Sequence, residues 1–137
     1  MPRTILIGAP IDSGQKRAGC LMGPAAYRVA GLAREIAAEG HGVEDWGDLL
    51  LPEVKPVTCP NPVVHDLAET VAWSEILMDR VDDALSGGGF PIILGGDHSL
   101  ALGSAAGAAA FAARQGRPLF LLWLDAHSDF HTPLTTT

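Results

Sequence analysis

The sequence predicts a three-layer α/β/α sandwich built on a parallel sheet. Three observations point there. Short apolar runs alternate with longer stretches of helical spacing, the order that produces parallel strands joined by helical, right-handed crossovers. The run "PLFLLWL" (118–124) is hydrophobic without alternation, as suits a parallel strand covered on both faces. Glycines close most of the runs and helical stretches.

Taken in order, "TILIG" (Thr4–Gly8) is an apolar, β-branched run bounded by Gly and Pro, hence a buried strand. A long loop, "APIDSGQKRAGCLMG", follows. Pro24 suits the first turn of a helix, Val29, Leu32, Ala33 and Ile36 continue it, and Gly40 stops it. A weaker strand is expected around Val43–Trp46. "LPEVKPVTCPNP" is a proline-rich connector. Asn61 and Pro62 then resemble a helix cap and first turn, with Val64, Leu67, Ala68, Val71, Met78 and Leu85 on one face. "FPIIL" is the third strand, closed by Gly95 and Gly96. An alanine-rich helix is expected from Ser99 to Arg114, and "GSAAG" within it reads as close helix packing. The fourth strand is "PLFLLWL".

The chain of 137 residues is long enough for one domain with a hydrophobic core. Its 47% hydrophobic content and positive mean hydropathy exclude a disordered polypeptide. A formal net charge of -7 argues against nucleic acid or an anionic membrane as partner. Cys20 and Cys59 have no C-x-x-C spacing and read as small hydrophobes in a reducing compartment. Neither the first residues nor "PLFLLWL" has the length of a signal core or a membrane span, so the expectation is a soluble, cytoplasmic protein. Trp46, Trp73 and Trp123 read as core or half-core, and His41 and His65 as surface residues.

In open α/β sheets ligands bind beyond the carboxyl ends of the strands. Two motifs lie there, "GGDHS" after the third strand and "DAHSD" after the fourth. In an extended segment Asp125, His127 and Asp129 project to one side. On a helix each would turn about 200° from the last and they would diverge. Two carboxylates and an imidazole suit a divalent cation such as Mn²⁺, Fe²⁺ or Zn²⁺. One Asp there is more simply a turn cap; three alternating ligands favour a metal. In "GGDHS", Asp97 reads as a helix cap. His98 alone is ambiguous, but three of the five histidines (His98, His127, His131) fall in these two stretches. No G-x-G-x-x-G, Walker or G-x-S-x-G motif competes.

"GGDHSLALGS" and "WLDAHSDFHTPLTTT" together resemble the metal motifs of the ureohydrolase family. The threonine loop favours its arginases over its agmatinases, and "GAPIDSGQKRAGCLMGPAAYRVAGL" and "VEDWGDL" are also similar to the arginase N-terminal half. The resemblance covers essentially the whole chain and implies an arginase/deacetylase-like fold of which residues 1–137 are the N-terminal part. It further implies that His98, Asp125, His127 and Asp129 are ligands of a binuclear manganese centre. His98 and Asp129 would serve one ion and His127 the other, with Asp125 bridging. The implied reaction is attack of a metal-activated water on a guanidinium carbon, converting L-arginine to L-ornithine and urea. Asp129 would hold a proton or the leaving amine, and His131 and Thr136 would meet the substrate's amino-acid end. Arginases usually carry Asn where His131 stands.

The family continues beyond the threonines with Ser, Asn and His residues and a D-x-D that completes both metal sites. It also places later strands between the third and fourth strands seen here. By that resemblance the 137 residues alone are expected to be inactive and poorly soluble. Metal occupancy would be at most partial, and 118–124 would lack sheet neighbours and expose its apolar side chains. The full-length form would be a homo-oligomer acting on a small guanidino substrate.

Overall fold

A computed structural model describes residues 2–15, 18–127, 129–132 and 134–135. Three parallel strands form its sheet in the order β2-β1-β3. The central strand β1 is Thr4–Ala9, flanked by β2 (Val43–Asp48) and β3 (Phe90–Gly95). On the β3 side the register runs unbroken from Thr4–Phe90 to Ala9–Gly95. On the β2 side it shifts between Leu6 and Gly8, where the Leu49 N–H donates to the Gly8 carbonyl.

Every residue of β1 is buried, which requires cover on both faces. On one face Ile5, Ile7 and Ala9, with Ile11 beyond them, form the core with Trp73, Leu77 and Ala84 of helix α3 (Leu67–Ser86). On the other side, a side chain at Gly8 would collide with Asp48 and press within 3.1 Å of Arg28 of helix α1 (Gly23–Val29). Arg28 donates to both carboxylate oxygens of Asp45 at 2.7 and 2.9 Å and to Asp48 at 2.5 Å, tying α1 to the end of β2. The expected incomplete α/β fold is therefore present.

Four features differ from expectation. The first helix is two, α1 and α2 (Leu32–Ala38), separated by Gly31 at φ 86°. Asn61 caps no helix; its carboxamide and carbonyl close a local turn with Val63 and Val64, and α3 begins only at Leu67. The buried stripe of α3 is Trp73, Leu77, Val81 and Ala84, while Val71 of the expected face is 45% exposed.

The fourth difference is the largest. Residues 117–124 form no strand and join no sheet among the described residues. Phe120, Leu122 and Leu124 are each at least 80% exposed, and Trp123, expected in or near the core, is 43% exposed. A strand needs partners for its backbone groups, and among the described residues none pairs with 118–124, which agrees with the exposure implied by the family resemblance.

Helix α4 (Leu100–Arg114) packs chiefly on α3. The close packing expected from "GSAAG" is present. A side chain at Gly103 would collide with the Ser74 carbonyl, and one at Gly107 would lie 2.5 Å from the Met78 carbonyl. No helix among the described residues is long and apolar enough to cross a membrane. Cys20 and Cys59 are free and half-buried.

Candidate metal centre

The site is assembled from the two stretches that follow apolar runs. β3 ends at Gly95, and residues 96–99 turn the chain into α4, setting His98 at the helix entrance. The second stretch runs along α4 and brings Trp123, Asp125 and Asp129 back to His98. The His98 Nδ1 lies 3.4 Å from Asp125 Oδ2, and its Nε2 lies 3.1 Å from Asp129 Oδ2. One ligand atom from each of these three residues falls within 4.8 Å of the others. An imidazole and two carboxylates at that spacing fit the donor set of a hard-to-intermediate divalent cation.

The extended alternation expected over residues 125–129 stops at its first member. Asp125 Oδ1 accepts a hydrogen bond from the His127 N–H at 2.9 Å, which bends the backbone. Asp129 then takes a left-handed conformation at φ 52°. The carboxylate of Asp129 thus returns to His98, but the His127 ring does not join the cluster. It is 86% exposed, and its Nδ1 lies 3.7 Å from Asp125. The Asp125 carboxyl is held below the usual carboxylate range, first by the His127 N–H, which outweighs the opposing desolvation, and then by the two imidazoles.

His131 lies exposed beyond Asp129, outside the cluster. Thr136 lies outside the described residues. Before it, Thr132 and Thr135 close a turn: the Thr132 N–H donates to Thr135 Oγ1 at 2.8 Å, and the Thr135 N–H donates to the Thr132 carbonyl at 2.9 Å.

Two residues have larger parts than the sequence suggested. Trp123 presents its ring at 74° to His98, with centroids 5.3 Å apart, and its indole N–H donates to Asp129 Oδ2 at 3.3 Å. Its position two residues before Asp125 was the available signal, because period two sets both on one side of an extended chain. Asp97, expected as a cap, is only 6% exposed and accepts hydrogen bonds from both Gly14 and Ser99. Two clefts flank the His98–Trp123 contact. One, of about 710 Å³, runs between α4 and residues 119–123; the other, of about 410 Å³, opens between Gly96–His98 and Leu122–Asp125.

The Arginase family model matches residues 2–137. The chain is similar to the arginase of Brucella melitensis, at 46% identity over 132 residues, covering 96% of this chain and 43% of that protein. It superposes on the arginase of Bacillus caldovelox with a TM-score of 0.83 at 34% identity, covering 99% of this chain and 44% of that one. It also superposes on the Entamoeba histolytica arginase in complex with L-ornithine, with a TM-score of 0.78, 26% identity and coverage of 99% and 46%. The chain thus spans less than half the length of the relatives it matches. A match running from residue 2 to residue 137 takes in residues 96–99 and 125–129 as well as the sheet beneath them, and the chain belongs to the arginase family.

Proposed function

We propose that these residues form the N-terminal half of a binuclear manganese ureohydrolase that converts L-arginine to L-ornithine and urea. The observation that carries this reading is the convergence of His98, Asp125 and Asp129 from two separate stretches. Family membership supports the reaction class. His98, Asp125, His127 and Asp129 would hold the two ions. When bound, the manganese pair supplies hydroxide near neutral pH and positive charge against the developing tetrahedral centre.

The remaining work belongs to side chains. Trp123 orients Asp129 through its indole N–H and screens one edge of His98. Asp129, whose side chain is 41% exposed, would hold a proton and pass it to the leaving amine. His131 and Thr136 would meet the α-amino and α-carboxylate groups of the substrate. The E. histolytica relative, solved with L-ornithine, supports an amino-acid end of this kind.

The test joins the chain to the C-terminal half of a similar arginase and measures urea released from arginine and from agmatine with Mn²⁺ present. Release from arginine and little from agmatine is expected. Equal release from both, or preference for agmatine, refutes the substrate assignment. The 137 residues expressed alone should release no urea, and clear manganese-dependent release from them would overturn the reading of residues 1–137 as half a site.

A further inference from the structure

His98 faces an unusual demand. Its side chain is 58% exposed, and its ion-pair and ring partners, Asp125, Asp129 and Trp123, sit on the segment that lies outside the sheet. Those partners do not tie the ring to the sheet. The backbone of residue 98 must be fixed from its own side.

Asp97 is built for that task. Its Oδ1 accepts the Ser99 N–H at 2.9 Å and the Ser99 hydroxyl at 2.6 Å, so the carboxylate spans residue 98 and restrains its backbone angles. Its Oδ2 accepts the Gly14 N–H at 2.6 Å, 83 positions away in the chain. Its own N–H donates to the Ile11 carbonyl at 2.9 Å. The contact between the two loops is close. A side chain at Gly14 would lie 2.8 Å from Asp97 Oδ1, and one at Gly96 would lie 2.5 Å from the Ala9 carbonyl. A carboxylate only 6% exposed needs such donors, since burial of an unsatisfied charge is costly. Capping alone would use one oxygen; this one uses both, and the second reaches the loop after β1.

We propose that Asp97 is a positioning residue that clamps the loop after β1 to the turn before α4 and thereby fixes the backbone of His98 for metal binding. The proposal rests on the reading of His98 as a manganese ligand. Its two halves are tested separately.

The clamp is tested without metal, by nuclear magnetic resonance of the chain and its Asp97→Ala and Asp97→Asn variants. Asp97→Ala should abolish exchange protection of the Gly14 and Ser99 amides and change the amide–α coupling of His98. Asp97→Asn keeps an acceptor for Ser99 but turns an N–H toward Gly14. It should lose protection at Gly14 alone, and it also serves if the alanine variant fails to fold. An unchanged His98 coupling in Asp97→Ala overturns the clamp.

The metal half is tested in the chain joined to the C-terminal half of a similar arginase, by Mn²⁺ titration followed by electron paramagnetic resonance. Asp97→Ala should weaken binding by about tenfold to a hundredfold, the usual loss when a ligand's supporting partner is removed. The same change in a His98→Ala background should cost nothing further. Losses that multiply would show Asp97 acting on stability alone and would overturn the positioning role. A joined parent protein that binds no Mn²⁺ refutes the metal reading of His98 and leaves the amide measurements to decide the clamp.

Discussion

Thr4–Ala9 and residues 118–124 are both short runs dominated by aliphatic side chains, and they meet opposite environments. The first is fully buried, with a hydrogen-bonded strand on each side and helices over both faces. The second lies along α4 with Leu119 to Leu124 all exposed. Composition does not separate them; neighbours do. A buried strand needs partners for its backbone on both edges and apolar cover on its faces. β1 finds the edges in β2 and β3 and the cover in α1 and α3. Residues 118–124 find α4 along one flank and nothing that pairs their N–H and C=O groups among the described residues.

The comparison is broken most directly beneath β1. Leu77 is fully buried in the core with Ile5 and Ile7. Leu77→Ala should destabilise the chain by about 2–5 kcal/mol, by lost burial and the cavity left behind. Urea denaturation followed by circular dichroism measures it. A loss under about 1 kcal/mol would mean that this core does not hold the sheet together.

A smaller effect tests the edge of β1's cover, where Arg28 reaches β2. The Arg28 hydrogen bonds hold the Asp45 carboxyl below its usual range, against desolvation that opposes them. A group with a depressed folded pKa contributes stability above its unfolded pKa and loses it as pH falls through the folded value. The chain should therefore lose stability below about pH 4, and Asp45→Asn should remove part of that slope. Because the pair is partly exposed, the change at neutral pH should stay under about 1 kcal/mol. A steeper acid transition in Asp45→Asn than in the parent would contradict this account.

The smallest effect on stability is expected in the exposed run. Leu122, 80% exposed, should tolerate Leu122→Lys within about 0.5 kcal/mol. The added charge interrupts an apolar, unpaired segment, so light scattering should show less aggregation. A loss comparable to Leu77→Ala would mean that residues 118–124 are buried in solution.

Much of this was legible in advance. β1, β3 and α4 follow from apolar runs with glycine stops, and the Gly103 and Gly107 contacts with α3 match the expected helix packing. The stripe of α3 was not legible. The helix carries apolar residues on more than one face, and spacing alone does not say which meets the sheet. In the candidate site, residue types at strand ends nominated His98, Asp125 and Asp129. They did not foresee that the His127 N–H would bend the chain at Asp125 and leave the His127 ring outside. Nor did they show Asp97 reaching Gly14, because a contact across 83 positions leaves no local pattern.

By itself, the sequence determined which segments seek burial and which side chains can hold a metal, since hydrophobicity and donor chemistry are properties of residues. Tertiary structure alone decided which apolar run became a strand and which carboxylates meet His98. Backbone pairing and convergence depend on what another part of the chain brings into reach.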